Sequence, residues 1–421
     1  MRVLMLAQFY SPIVGGEERH VQDLSTELVN RGHDVVVATF WQQGLAEFEV
    51  DQGIRIYRIR STLQRATWLY REKERRHAPP FPDPGALWAL RNIVAHERPD
   101  IIHAHNWLHY SFLPLKLWSQ APLILTLHDY SLRCANKRLM YYDSLCDGPA
   151  LVKCFNCAAN HYGPGRGQFI AATNWLMRAA AAKAVDIFLP VSQAAAAGNG
   201  LVGSGLPFQI IPNFVPDHSS TSREDVDSYL AQLPQEDYLL FVGDLSRFKG
   251  VEVLLRAYAN LSNAPPLVLI GRKRPQTPAD CPPNVLLLDK WPHAAVLAAW
   301  RRSIIALAPS VSCEPFGIVA IEAMAAGRPL IASRIGGLTD IVVDGETGFL
   351  VPPGDPVALG QAIERLLASP ALRQRLGQAA KRKVAGFQAS AIVPRIERVY
   401  EFILDTVPAA RKAEQLSRND F

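Results

Sequence analysis

Short apolar runs alternate with helix-length segments along almost the whole chain. In the first half the runs predict buried strands at residues 2–7, 34–39, 54–59, 100–104, 123–127, 186–190 and 209–211. In the second half they predict strands at residues 238–242, 267–270, 285–288, 304–308, 330–332 and 349–351. Continuous apolar strands separated by helices are typical of parallel sheets that are covered on both faces. Two such series in tandem predict an α/β protein with two doubly wound, Rossmann-like domains.

A polar, proline-containing stretch at residues 212–220 separates the two series, as expected for a domain boundary. The length of 421 residues agrees with two to three domains. We therefore predict a first domain over residues 1–212, with a cysteine-rich loop at about 130–165, and a second domain over residues 213–389. A final helix and tail over residues 390–421, helical to about 407, is expected to cross back to the first domain.

Composition narrows the classes of function. With 49% hydrophobic and 20% charged residues, the chain is neither a long disordered protein nor a coiled coil. The net charge of +5 suits phosphate-bearing small molecules or an anionic membrane surface and is too small for a nucleic-acid-binding protein. The apolar start is too short for a signal peptide, and charges interrupt residues 169–190, so we expect a reduced, cytoplasmic protein.

The clearest chemical signal is a pair of glutamates after the strand at residues 304–308. Glu314 lies in the predicted loop, and Glu322 is the only charged residue of a helix predicted at about 316–327. This helix is apolar all round, so Glu322 is buried and needs hydrogen-bond donors. The hydroxyl groups of a ribose or a sugar would supply them. The alternative is an ion pair with an arginine or lysine of the core.

Two further features suit a phosphate group. The start of the same helix, at Phe316, Gly317 and Ile318, presents backbone N–H groups that no helical carbonyl accepts. Arg247 and Lys249 lie in the turn after the strand at residues 238–242 and could neutralise a diphosphate. The alternative for these two side chains is solvation as ordinary surface cations.

The first domain carries weaker signals. Gly15 and Gly16 open the helix after the first strand, where the lack of a Cβ lets a backbone approach a ligand closely, although the G-x-G-x-x-G spacing is absent. His128 follows the strand at residues 123–127, and ligands gather at the carboxyl ends of such strands. A structural histidine is the alternative interpretation of His128.

Four of the six cysteines, Cys134, Cys146, Cys154 and Cys157, lie within a stretch that shows no clear helix or strand pattern. Cys154 and Cys157 have the two-residue gap that lets both thiolates bind one tetrahedral ion, and the other two could complete the set. A structural zinc site is therefore predicted, with an iron–sulfur cluster as a variant of it. Disulfides and four unrelated thiols are the alternatives.

A segment at residues 65–76 of the first domain mixes cations with Trp68 and Tyr70. Such a segment could dock on an anionic membrane, with the aromatic rings among the lipid headgroups. A solvated basic helix is the alternative interpretation.

The order of several motifs resembles that of the retaining glycosyltransferases of family 4, over about residues 1–405. The motifs are Tyr10-Ser11-Pro12, Gly15-Gly16-Glu17, Arg31-Gly32-His33-Asp34-Val35, Pro212-Asn213, Glu314-Pro315-Phe316-Gly317, Glu322-Ala323-Met324-Ala325-Ala326-Gly327, Gly336-Gly337, Asp344-Gly345-Glu346-Thr347-Gly348 and Pro353-Gly354-Asp355. The resemblance implies the GT-B architecture, in which two Rossmann-like domains face each other across a cleft and the second one binds most of the donor.

The resemblance also implies roles for single residues. Glu314 would contact hydroxyls of the donor sugar, and Glu322 would hold the ribose. Lys249 with its neighbour Arg247 would bind the diphosphate. In the first domain, Gly16 would meet the phosphates and His128 would lie by the reacting sugar. One position departs from the family pattern: Asp244 stands where an arginine is usual, and Arg247 is expected to supply the missing charge.

The function expected from this resemblance is transfer of a hexose-type sugar from a nucleoside diphosphate sugar to a glycan or lipid-linked acceptor, with retention of configuration, in polysaccharide or glycoconjugate synthesis. No catalytic metal is expected, since the cations would take its place. Two alternatives stay open. One is a sugar-nucleotide epimerase or phosphorylase with the same architecture, and the other is a donor-binding protein without turnover.

Overall fold

A computed structural model of the chain describes residues 1–13, 15–65, 76–217, 226–274, 277–278 and 280–419, the last thirteen of them as backbone only. The chain divides into two compact units. One consists of Met1–Val191, Ala195–Pro212 and Ile392–Phe421, and the other of Ser192–Ala194 and Asn213–Ala391.

The first unit contains a seven-stranded sheet in the order β3-β4-β2-β1-β5-β6-β9. Its strands are β1 (Arg2–Leu6), β2 (Asp34–Phe40), β3 (Phe48–Asp51), β4 (Ile54–Ile59), β5 (Ile101–Ala104), β6 (Leu123–Leu127) and β9 (Ile187–Pro190). A hairpin outside this sheet consists of β7 (Met140–Tyr141) and β8 (Ser144–Leu145). The helices of this half are α1 (Gly16–Asn30), α2 (Pro84–Glu97), α3 (Leu108–Phe112), α4 (Leu151–Tyr162), α5 (Arg166–Ala184) and α6 (Gln193–Gly198).

The second unit contains a six-stranded sheet in the order β12-β11-β10-β13-β14-β15, in which every pair is parallel. Its strands are β10 (Leu239–Val242), β11 (Leu267–Ile270), β12 (Val285–Leu288), β13 (Ile305–Ala308), β14 (Leu330–Ser333) and β15 (Gly348–Val351). The helices of this half of the chain are α7 (Val226–Leu230), α8 (Val251–Ala259), α9 (His293–Arg302), α10 (Ile318–Ala325), α11 (Leu338–Ile341), α12 (Pro356–Leu367), α13 (Pro370–Val384) and α14 (Ala389–Asn419), most of which belongs to the first unit.

The predicted α/β class with two Rossmann-like sheets is confirmed, because apart from the antiparallel edge strand β3 both sheets are parallel, and their central strands consist mainly of buried apolar residues. The last helix also returns to the first unit as predicted. The Tyr400 hydroxyl lies 2.7 Å from Nδ1 of His103, and Glu397 pairs with Arg31 at 2.9 Å. Helix α14 is longer than expected, since it continues to Asn419 rather than ending near residue 407.

Three expectations about local structure are wrong. Residues 209–211 form no regular strand. Gln209 and Ile211 donate to the carbonyls of Phe188 and Pro190 in β9, but the bridge described there joins only Phe208 to Phe188, because Pro190 has no N–H to return a bond. Helix α10 is shorter than 316–327 because Gly317, at φ 107°, has left-handed backbone outside the helical region. The cysteine-rich loop has regular structure, namely the β7–β8 hairpin and helix α4.

Candidate functional site

In the second unit, β10 and β13 are neighbours in the sheet, and the chain continues from them toward opposite edges. Ligands of such sheets bind beyond the carboxyl ends of the strands at this point. The loops that follow the two strands are in contact there, since the N–H of Val311 donates to the carbonyl of Phe248 at 3.0 Å. Only glycine fits at position 250, where φ is 77° and a Cβ would lie 1.8 Å from the carbonyl oxygen of Pro309.

These two loops bring Lys249 and Glu314 together. The Lys249 ammonium group lies 2.7 Å from both carboxylate oxygens of Glu314, and the Ser310 hydroxyl donates to one of them at 3.2 Å. The Glu314 side chain is 14% exposed and that of Lys249 is 33% exposed. Both groups can therefore reach a ligand, and in the absence of one they neutralise each other.

A glycine pair holds the backbone of Glu314. The N–H of Gly337 donates to the Glu314 carbonyl at 2.7 Å. Gly336 approaches so closely that a Cβ there would lie 2.1 Å from the same oxygen, and its φ is 57°. The Gly336-Gly337 motif thus fixes the loop that carries Glu314.

Glu322 is buried on α10, with 3% of its surface exposed. Its carboxylate lies 2.8 Å from Nε2 of His293, the first residue of α9. The structure thus pairs Glu322 with a histidine, a partner that was not weighed from the sequence. Sequence reasoning missed His293 because it lies far from Glu322 along the chain. Its position at the start of a helix could have marked it as a candidate site residue.

The start of α10 lies between the two glutamates. Phe316 is buried, Gly317 caps the helix and Ile318 is its first residue. Backbone N–H groups at such a helix start can bind an anion.

The neighbourhood of Asp244 differs from the sequence prediction. Its carboxylate pairs with the guanidinium group of Arg274 at 2.7 Å, and Arg272 lies 3.9 Å away. Arg247 instead stacks over the ring of Phe248, with Cζ 4.9 Å from the ring centre. Sequence reasoning missed Arg274, although a basic run follows β11. Because β11 lies beside β10 in the sheet, this run comes near the turn that carries Asp244.

In the first unit, Gly15 is the extended N-cap of α1 and Gly16 is the first helical residue. His128 follows β6, and its Nε2 lies 3.1 Å from Nδ1 of His105. The ring of His20, on α1, meets that of His128 edge-on at 4.9 Å. Since ligand atoms of these three histidines lie within 4.8 Å of one another, they could hold a metal ion.

Burial governs the protonation of this region. It lowers the pKa of His20 and His105, and neighbouring histidines lower each pKa further. Burial, followed by the negative charges of Glu18 and Asp129, raises the pKa of Glu17 to about 8. At neutral pH the imidazoles of His20 and His105 are therefore uncharged, and the charged form of Glu17 is disfavoured.

Residues 66–75, which make up most of the segment predicted to dock on membranes, lie outside the described residues. Among the helices described, none combines the length and the apolar composition that a membrane-spanning segment needs.

Comparison with known proteins assigns the family. Residues 14–218 match the model of Glycosyltransferase Family 4, and residues 223–383 match that of Glycosyl transferases group 1. A glycogen synthase of Mycobacterium tuberculosis is 28% identical over 95% of this chain and 94% of its own. A D-inositol 3-phosphate glycosyltransferase of Corynebacterium diphtheriae is 28% identical over the same shares.

Solved structures agree on the fold. The sucrose-phosphate synthase of Thermosynechococcus elongatus covers 96% of this chain and 99% of its own with a TM-score of 0.73 and 22% identity. The HepE protein of Anabaena in complex with UDP-glucose covers 95% and 99% with a TM-score of 0.68 and 18% identity. Together the two family models match most of the residues, and the two relatives match nearly the full length, so this chain belongs to glycosyltransferase family 4 and has the GT-B fold.

Proposed function

We propose that this protein transfers a hexose-type sugar, with retention of configuration, from a nucleoside diphosphate sugar to a glycan or lipid-linked acceptor in cell-surface polysaccharide or glycoconjugate synthesis. The observation that carries the proposal is the contact of Lys249 with Glu314 beside the start of α10. This contact places Lys249, a cation that can bind a diphosphate, next to Glu314, a carboxylate that can accept hydrogen bonds from sugar hydroxyls. Solved neighbours are complexes with UDP, UDP-glucose and ADP, which supports a donor of this class.

In this proposal the second unit binds the donor. Glu314 accepts hydrogen bonds from sugar hydroxyls, and Glu322, oriented by His293, accepts them from the ribose. Lys249 leaves Glu314 in part to contact the diphosphate, because the diphosphate carries more negative charge than one carboxylate. Arg247 adds a second cation when its side chain leaves the ring of Phe248.

The proposed reaction occurs on one face of the sugar. The bond between the anomeric carbon and the leaving phosphate oxygen breaks as the bond to the acceptor oxygen forms. The acceptor proton passes to the leaving diphosphate. Lys249, Arg247 and the N–H groups at the start of α10 stabilise the negative charge that grows on that diphosphate. From the first unit, Gly16 is assigned to the phosphates and His128 to the reacting sugar on the family resemblance.

Thermal shift with a panel of nucleoside diphosphate sugars tests this proposal first, because a ligand that binds only the folded state raises the melting temperature. The donor found in this way is then incubated with candidate acceptors. Release of a nucleoside diphosphate together with a glycosylated acceptor supports the proposal. A donor that is isomerised, or bound without turnover, contradicts it.

We further propose that the first unit contacts the cytoplasmic face of an anionic membrane. Helix α5 exposes Phe169, Trp175 and Leu176, the last with 72% of its surface accessible. The helix carries Arg166, Arg178 and Lys183 and no carboxylate. Exposed apolar and aromatic side chains on a helix whose charged residues are all cations suit the interface of an anionic bilayer.

Sedimentation with vesicles tests the membrane proposal. We expect binding to vesicles with anionic lipid, weaker binding at high salt, and loss of binding in a Trp175→Ser/Leu176→Ser variant. Trp88→Ser is the matched control, because Trp88 lies on α2 and is 67% exposed. Equal sedimentation of all three proteins, or none with anionic vesicles, contradicts the proposal.

A further inference from the structure

The cysteine lobe, residues 134–162, lies between the strand end at His128 and helix α5. Its four thiols line one cavity of about 30 Å³. A cavity that can enclose a single water has a volume of about 10–15 Å³, so this cavity has room for an ion. None of the six cysteines, all of which lie among the described residues, forms a disulfide.

Local structure aims the thiols at this cavity. Cys154 and Cys157 are three residues apart on α4 and therefore share a face of the helix. Cys146 follows the hairpin, and its N–H donates to the carbonyl of Leu139 at 2.8 Å. Cys134 opens a turn in which the N–H of Lys137 donates to its carbonyl at 2.9 Å. Three separate elements thus converge on one point.

Hydrogen-bond donors lie near two of the sulfur atoms. The Asn136 amide donates to Sγ of Cys157 at 3.0 Å. Backbone groups of Asn136, Arg138 and Leu139 stabilise the thiolate form of Cys134, although burial outweighs them and raises the pKa of its thiol. A neutral thiol has little use for several donors, whereas metal-bound thiolates are commonly surrounded by them.

The lobe also lacks a core of its own. From Asn136 to Tyr162, only Met140 and Ala158 are buried. Tyr142, Leu145 and Val152 are exposed instead. A segment with so little buried apolar surface needs another source of order, such as a bound metal ion.

The thiols do not yet form a closed tetrahedron. Among the described side chains, three ligand atoms come within 4.8 Å of one another at the histidines and not at these cysteines. Cys146 and Cys157 instead donate weak hydrogen bonds to the carbonyls of Gly148 at 3.4 Å and Met140 at 3.5 Å. An ion would replace these bonds and draw the four sulfur atoms inward.

We propose that Cys134, Cys146, Cys154 and Cys157 bind one Zn²⁺ ion as thiolates in a closed, structural site. The thiol protons leave to solvent as the ion binds, and no position stays open for water. The site fastens α4 and the hairpin to the turn after His128, because the N–H of Cys134 donates to the carbonyl of Tyr130 at 2.8 Å. This inference stands apart from the proposed transferase reaction.

Elemental analysis of the full chain, purified without chelator, tests the site. We expect about one zinc per chain in the parent and less than about one tenth in Cys154→Ser/Cys157→Ser. Cys281→Ser is the matched control, since Cys281 lies in the other unit and should keep the full zinc content. Zinc-free parent protein, iron in place of zinc, or zinc retained by the double variant overturns the proposal.

A second measurement on the parent protein covers the case in which the double variant fails to fold. Cobalt(II) added after zinc removal should give the absorption of tetrahedral thiolate coordination, and limited proteolysis should cut the lobe faster in the metal-free protein. Titration of thiols without reductant separates the alternatives. Two disulfides in place of four reactive thiols, or no cobalt–thiolate absorption, contradicts a zinc site.

Discussion

Replacing Lys249 by alanine should weaken the binding of a nucleoside diphosphate more than it weakens the fold. The ammonium group makes two contacts of 2.7 Å to Glu314, and its side chain is 33% exposed. A hydrogen bond to a charged group contributes about 1.5–3 kcal/mol, which corresponds to roughly a 10- to 150-fold change in affinity. The loss of stability should be about 1 kcal/mol or less, because a partly exposed ion pair contributes little.

The loss of Lys249 should also weaken diphosphate binding in a second way, through the charge of Glu314. Without Lys249, the carboxylate of Glu314 keeps its charge beside the start of α10 and repels the diphosphate. A Lys249→Ala/Glu314→Gln variant should therefore bind UDP and ADP more tightly than Lys249→Ala alone. The glutamine still lacks the cation, so affinity should stay below that of the parent.

Titration calorimetry with UDP and with ADP measures these affinities, and urea unfolding measures stability. Arg382→Ala, which removes an exposed cation from α13, is the control and should leave both quantities unchanged. Parent-like affinity in Lys249→Ala would refute the diphosphate assignment. A double variant that binds no better than Lys249→Ala would refute the argument from repulsion.

Three further predictions concern the glutamates, the glycine pair and pH. Glu322→Ala should weaken nucleoside diphosphate binding by about 1–3 kcal/mol through lost ribose contacts. Glu314→Ala should lower turnover more than it lowers the affinity for the nucleoside diphosphate. If both variants bind the nucleotide and turn over like the parent, the two assignments are wrong. Gly336→Ala should lower the free energy of unfolding by about 1–3 kcal/mol through backbone strain and the clash with the Glu314 carbonyl, and Gly345→Ala, where φ is 76° but no atom lies within 4 Å, should cost less. The free energy of unfolding should fall as the pH drops below 6.5, because burial lowers the pKa of His103 to about 3 and that of His109 to about 4, whereas in the unfolded chain both imidazoles take up a proton. Each histidine should lower the free energy of unfolding by about 1.4 kcal/mol per pH unit until the pH reaches its pKa in the folded protein. Urea unfolding at pH 7 and pH 5 checks this, and equal stabilities would contradict it.

The parts of the fold that sequence reasoning recovered are those with a continuous apolar signal. Strands such as β11 and β13 are buried on both faces, so every residue in them is apolar. Strand β3 (Phe48–Asp51) escaped prediction because it is an exposed, antiparallel edge strand with no apolar run. The β7–β8 hairpin was not predicted because each strand has only two residues, which are too few to show an alternation of apolar and polar positions.

The candidate site was predicted in its positions but not in its pairings. Glu314 and Lys249 were identifiable because each follows a buried strand, and strand ends of a parallel sheet share one edge. Their neighbours Glu322 and Asp244 pair with His293, at the start of α9, and with Arg274, in the loop after β11, which the order of the strands brings near. Such contacts depend on which strands are neighbours, and a single sequence does not specify this.

The stereochemistry of the transferred sugar directly tests the proposed transfer with retention of configuration. The donor identified by thermal shift is incubated with an acceptor, and nuclear magnetic resonance assigns the anomeric configuration of the new glycosidic bond while released nucleotide is quantified. We expect one nucleoside diphosphate to be released for each sugar transferred, with the anomeric configuration of the donor preserved. An inverted product, or release of nucleotide without a glycosylated acceptor, would contradict it.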